Sequence, residues 1–274
     1  MCGIAGYSLS AASRVNRTLV AQALFAAIAE RGSDAAGYAY RSATGDLHVH
    51  KQRTGATELL DAVAIARDAT EALIHVRDYT KGHPSLAANN HPVRHGAVVG
   101  IHNGIIANDE EIFAGHGFER NEPGMTVDSE AIFALMEEAH HTPAALEELH
   151  GSMATAWLDE RVDGSLFVAR GVGRPLWLGT GDAEVVFAST REALELVELY
   201  LVLPLAKREV PEGTLLTLSG GAVAAQRSFR PDRTFTEARR LPDVRAPEER
   251  QSALARLAAL AGVPSGVAAP ARAR

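Results

Sequence analysis

The one cysteine of this 274-residue chain stands at position 2, directly after Met1. A thiol at its ordinary pKa is mostly protonated near neutrality, so a cysteine nucleophile needs a base or a positive charge beside it. Loss of Met1, usual ahead of a small residue, puts a thiol and a free α-amine on one residue. That amine titrates near ~8, and its neutral fraction can take the thiol proton. A nucleophile in that place carries its own base. The bland alternative is a small apolar cysteine buried in a first strand.

Acyl transfer also needs donors for a developing oxyanion. The strand-like run Gly96–His102 ends in Asn103-Gly104, an amide side chain followed by an unhindered backbone N–H. Read alone, Asn-Gly is a common turn. An amino-acid substrate would further require an arginine fork for its carboxylate and an acid for its ammonium. Arg77, at a strand end before a loop, suits the first, or is a solvated charge. Asp128, at a helix start, suits the second, or is a helix cap.

The elements that must hold these residues are short. Apolar runs predict strands at 2–8, 36–41, 46–52, 72–77, 96–102, 153–158, 165–169, 184–188 and 214–218. Helical spacing appears at 19–30, with Asn16 as its cap, and at 57–66, 127–139 and 191–200. Residues 80–90, with Gly, Pro and Asn, read as a loop. Many short strands and few helices, without regular strand–helix alternation, suit two sheets with helices outside them.

Composition narrows the function classes. The chain is 46% hydrophobic and 22% charged with a net charge of −7, an ordinary globular balance that gives no general attraction to nucleic acid or acidic membranes. No run nears the roughly 18 apolar residues of a membrane span, and no secretory leader is read. One cysteine excludes an internal disulfide framework and a multi-cysteine zinc site, so a reducing, cytoplasmic setting is expected. Eleven histidines invite a metal reading. His48 and His50 share a strand face but lack an evident third ligand, and no metal or organic cofactor is expected. From Phe229 onward nine arginines meet five acidic residues among scattered prolines. This stretch, 229–274, reads as a Pro/Arg/Ala-rich tail following a domain at 1–228. Leu254, Leu257 and Leu260 could line one short helix in it; the rest reads as a linker with a frayed end.

Five motifs in order resemble the class II glutamine amidotransferases, a family of N-terminal-nucleophile hydrolases. Cys2-Gly-Ile-Ala-Gly resembles the family's opening, and Arg31-Gly-Ser-Asp-Ala-Ala-Gly37 is similar to its Arg-Gly-x-Asp-Ser-x-Gly. Asn89-Asn-His-Pro92, Ile101-His-Asn-Gly-Ile-Ile-Ala-Asn108 and Val127-Asp-Ser-Glu130 match three further segments. The motifs span roughly 2–130, with weaker similarity to about residue 220. The resemblance implies an α+β fold, a four-layer αββα sandwich of two mostly antiparallel sheets. It implies Cys2 as nucleophile and Asn103 with Gly104 as oxyanion hole. Arg77, Thr80 and Asp128 become the contacts to glutamine, with Arg31, Asp34 and His102 in support, Arg31 and Asp34 pairing beside the site.

One segment departs from the pattern. Many members read Thr-Arg-Trp-Ala-Thr-His-Gly where this chain has Val76-Arg-Asp-Tyr-Thr-Lys-Gly82. Asp78 and Lys81 replace the Trp and the His, and Lys81 either adds positive charge near the substrate carboxylate or is solvated. The expected activity is hydrolysis of the glutamine side-chain amide through a Cys2 thioester, with ammonia passed to a separate synthase subunit. The 254/257/260 stripe is a candidate docking element for that subunit. A stand-alone γ-glutamyl amide hydrolase and a catalytically inert amidotransferase-like binding module are the alternatives. Self-association stays open.

Overall fold

The computed structural model describes residues 2–237 and 242–262. Thirteen strands form two sheets among the described residues. In the first sheet, β1 (Gly3–Leu9) sits between β4 (Glu71–Arg77) and β10 (Glu184–Ala188). Outward from β4 come β2 (Ala35–Arg41) and β3 (Leu47–Gln52); outward from β10 come β9 (Trp177–Thr180) and β11 (Ala206–Glu209). The second sheet runs β13 (Ala222–Ser228), β12 (Thr214–Ser219), β8 (Leu166–Arg170), β7 (Gly151–Asp159), β6 (Val98–Ile106), β5 (Val93–His95). Every neighbouring pair in both sheets is antiparallel.

Side-chain alternation divides the core into three. Ala5, Tyr7, Leu9, Ala72, Ile74 and Val76 face helices α1 (Arg17–Ile28), α2 (Ala56–Leu59) and α5 (Arg191–Leu201). Ile4, Leu73, Val99, Ile101 and Ala154 interdigitate between the sheets. On the far side of the second sheet, Phe133 and Met136 of α4 (Glu130–Glu138) and Ile112 of α3 (Asp109–His116) cover Trp157 and Phe167. The expected four-layer αββα sandwich is the observed architecture.

Two expectations change locally. The helix expected over 57–66 is a single α-turn followed by a 3-10 turn at Leu60–Ala62. Val63 then turns extended, and β-branched Val63 and Ile65 alternate into the core. His48 and His50 stack on Tyr40 and Tyr38 across the β2–β3 ladder, at 4.8 and 5.4 Å. Their spacing serves cross-strand ring packing.

The tail also differs from a plain linker. Pro247 opens α6 (Pro247–Leu260), whose Ala253 and Leu257 are fully buried in the helix-side core against α1 and α2. Leu254 is half-buried and Leu260 exposed, so the apolar stripe is turned largely onto the chain's own domain and is not free to dock a separate subunit. Truncating Leu257 to alanine should cost about 2–4 kcal/mol in one cooperative melt of the whole chain. A separate low-temperature transition, with the main Tm unchanged, would instead make the tail an independent unit. The expected frayed end falls mostly at 263–274, outside the described residues.

Candidate active site

Three strand ends build the site. Ile4 and Leu73 point between the sheets, so Cys2, two residues before Ile4, and His75 and Arg77, two and four beyond Leu73, share that inner face. On the facing sheet Val99 and Ile101 point inward, which carries Asn103 to the same space, and β6 packs across from β1 and β4. His75 Nε2 donates to the His102 carbonyl at 3.1 Å and joins the two sheets there.

Cys2 is half-buried, and its Sγ donates to the Asp78 carbonyl at 3.5 Å. Burial pushes the thiol pKa up, against the smaller opposing effects of that hydrogen bond and of the Arg77 charge. Arg31, buried at the end of the turn after α1, donates from Nε to the Cys2 carbonyl at 2.9 Å and so fixes the backbone that carries the thiol. Arg31 and Asp34 do not pair with each other. The guanidinium of Arg31 meets Asp243 at 4.0 Å, while Asp34 Oδ2 accepts from the Tyr79 amide at 2.9 Å. The reason is chain direction: Asp34 N bonds the Arg77 carbonyl at 2.9 Å, aligning Asp34 with the loop after β4 rather than with α1.

Arg77 is buried and shapes the loop that follows it. Its Nη1 donates to Asn90 Oδ1 at 2.5 Å, and its Nη2 donates to the carbonyls of Lys81, at 2.9 Å, and Gly82. Thr80 lies exposed on that loop. The Asn90 carbonyl in turn accepts from Lys51 Nζ at 3.1 Å, so the segment before the cis His91–Pro92 bond is tied to both β3 and β4.

Asn103 is fully buried, and neither its Oδ1 nor its Nδ2 has a partner. Buried polar atoms are nearly always satisfied in folded proteins, so an orphaned carboxamide marks a position kept for something other than stability. Gly104 follows with φ of 153°, and a Cβ there would sit 1.8 Å from the Ser152 carbonyl oxygen. Only glycine fits that corner. His102 points to the outer face: its Nε2 donates to Ser152 O at 3.3 Å, leaving Nδ1 to accept from Ser129 Oγ at 2.9 Å. This braces Ser129 and, next to it, Asp128.

Asp128 is buried, and its Oδ2 accepts from the Ile106 amide at 2.7 Å. Burial raises its pKa to about 6. Well below pH 4 the carboxyl is neutral in folded and unfolded chains alike. Between about pH 4 and 6 the unfolded chain ionises first, so the folded state loses stability as pH rises, and above 6 the full penalty remains. Asp128→Asn should therefore raise Tm at pH 7.5, by up to about 3 kcal/mol in stability terms. Its KM for an amino-acid substrate should rise about thirtyfold through loss of a charge-assisted contact. Calorimetry beside steady-state kinetics checks the opposed signs; a lower Tm with an unchanged KM would make Asp128 a structural cap.

Sequence reading passed over His75 and assigned His91 no role. Their rings stack at 4.1 Å, and His91 has no hydrogen-bond partner at either nitrogen. Burial holds His75 to about 3 and puts His91 well below its usual range, so both are neutral near neutrality. The signal for His75 was its register, two residues from Arg77 on one strand face. Among the described residues no group of three or more His, Cys, Asp or Glu is arranged to hold a metal ion, and no helix is long and apolar enough to cross a membrane.

The family profile described as glutamine amidotransferase domain matches residues 83–196, which includes the Asn103–Gly104 corner and Asp128. Over that stretch the chain is similar to glutamine amidotransferase domains. The chain is 31% identical over 208 residues to a glutamine–fructose-6-phosphate aminotransferase (isomerizing) of Vibrio parahaemolyticus, covering 71% of this chain and 32% of that protein. It is 33% identical over 215 residues to the same-named protein of Pseudomonas putida, covering 72% and 33%. The chain thus spans about a third of the curated relatives it matches. Its fold is similar to glutamine phosphoribosylpyrophosphate amidotransferase from B. subtilis, with a TM-score of 0.62 at 21% identity, covering 84% of this chain and 49% of that one.

Proposed function

We propose that this chain is a class II glutamine amidotransferase that hydrolyses the side-chain amide of glutamine through a γ-glutamyl thioester on Cys2, with the ammonia passed to a synthase site outside the described residues. The observation that carries the reading is the orphaned Asn103 carboxamide on the inner face across from the strand that Cys2 opens. A thiol raised by burial needs a base at the moment of attack, and burial makes the imidazole of His75, on the adjacent strand β4, a poor proton acceptor. The α-amine freed by loss of Met1 supplies that base, directly or through a water.

The Cys2 sulfur attacks the glutamine Cδ while its proton passes to the amine. Asn103 Nδ2 and the Gly104 N–H receive the oxyanion. The same amine returns the proton to the departing nitrogen, ammonia leaves, and water then cleaves the thioester to release glutamate. Asp128 takes the substrate ammonium, and Arg77 with the loop after it takes the carboxylate. Arg31 holds Cys2 from behind.

A mass spectrum of the native protein, followed by assay of ammonia and glutamate released from glutamine, tests this directly. Loss of Met1 with equal yields of the two products is the expected result. A retained Met1 with no turnover would leave an inert binding module. Turnover of other γ-glutamyl amides but not of glutamine would leave a stand-alone amide hydrolase.

A further inference from the structure

The two residues that set this chain apart from its family's pattern, Asp78 and Lys81, lie in the loop between Arg77 and Gly82, and each has a charged partner from a different part of the fold. Lys81 Nζ reaches both oxygens of Asp109 at 2.7 Å and Glu110 at 3.2 Å. Asp109 opens α3, three residues after Ile106, whose amide holds Asp128. Buried Asp109 is also gripped by Arg120 at 3.0 Å. On the other side, Asp78 Oδ2 meets Arg245 Nε at 3.1 Å. Arg245 is itself held in place: its amide and that of Ala246 both donate to the Glu30 carbonyl, at 2.7 and 2.9 Å.

The span from 78 to 82 supplies the carbonyl that Cys2 Sγ contacts and two carbonyls that orient Arg77. Anything that fixes this loop fixes the wall of the candidate site. We propose that Lys81 and Arg245 are positioning residues, two electrostatic anchors that hold the substrate loop against α3 and against the C-terminal segment. Neither touches the reacting atoms. By this route the segment leading into α6, beyond the part of the chain that the family profile matches, takes part in shaping the site. The kinetic part of the proposal rests on the reading of Arg77 and its loop as glutamine contacts; the loop's anchoring does not.

Two readouts separate those parts. The first is steady-state kinetics with glutamine. Lys81→Ala should raise KM about tenfold with kcat within about twofold, since it loses charge-assisted bonds to a buried carboxylate. Lys81→Arg should restore most of the loss. Arg245→Gln, breaking a pair with one partner well exposed, should raise KM about threefold to fivefold. The charge swap that joins Asp78→Arg to Arg245→Asp should bring KM back to within about twofold of the wild type.

The second readout needs no turnover. Iodoacetamide can alkylate just one thiol in this chain, so the rate of carbamidomethylation reports how well the loop covers Cys2. It should rise by similar factors in Lys81→Ala and Arg245→Gln and fall back in Lys81→Arg and the swap. Unchanged alkylation and unchanged KM in both single variants would overturn the proposal, as would a kcat that falls in step with kcat/KM. If the wild type turns over no glutamine, the functional reading fails and the alkylation series alone decides the anchoring.

Discussion

Cys2→Ala should eliminate glutamine hydrolysis, by at least about 10⁴-fold in kcat, while leaving the fold and melting temperature in place. Nothing in the sheet depends on the sulfur. Cys2 precedes β1, is half-buried, and its thiol donates one long S–H bond to the Asp78 carbonyl. The backbone contact from Arg31 to the Cys2 carbonyl survives the change. The variant should still bind glutamine, and a wild-type sample quenched during turnover should show the γ-glutamyl adduct on the peptide that begins at Cys2. Retained turnover in the alanine variant would end the proposal outright. Loss of turnover together with a collapsed melt would mean that the sulfur had been packing, not reacting.

Asn103→Ala carries the second large effect, and its interest lies in an opposite sign for stability. Loss of one oxyanion donor costs about 10²–10³ in kcat, with KM little changed because the donor acts on charge that develops after binding. Both polar atoms of Asn103 are buried and without partners, so the resting protein bears a desolvation cost for them. Replacing a buried unsatisfied group by an apolar one removes a penalty of about 1–3 kcal/mol, offset in part by the small cavity. Stability should hold or rise as activity falls. Thermal melts and stopped assays on one preparation check the pair of signs. A strongly destabilised Asn103→Ala with normal kcat would make the carboxamide a structural element of β6.

Much of this was legible in the amino-acid string, for identifiable reasons. β1, β4 and β6 are buried on both faces and read as apolar runs, and α1 and α5 carry side-chain caps at Asn16 and Thr190. Elements with little burial left little trace. Seven-residue β13 is almost wholly exposed, β11 is an exposed edge strand, and α3 buries three residues, one of them Asp109. Among the candidate site residues, Cys2 stood out by its place in the chain, whereas Asn103, Gly104 and Asp128, which alone read as a turn and a helix cap, were singled out by the resemblance of five motifs in order. His75 was not, since a histidine within a strand reads first as packing. The partners of Lys81 and Asp78 are 28 residues away, at Asp109, and at Arg245 near the end of the described chain; such ion pairs across distant segments have no local signature. α6 was legible as a possible short helix at Leu254, Leu257 and Leu260, but its seat was not, because the burial of Ala253 and Leu257 depends on packing against the distant α1 and α2.

The place of β1 in its sheet has a consequence for biosynthesis. The strand that Cys2 opens is flanked by β4 on one side and by β10, residues Glu184–Ala188, on the other. During translation this strand therefore waits for residue 188 before both its edges are paired, and α1 waits for Leu257 before its outer face is covered. Contacts of such sequence separation slow folding, because the intervening chain must be ordered before they form. The Cys2 thiol at the head of that strand stays open to solvent and to oxidants for most of that interval.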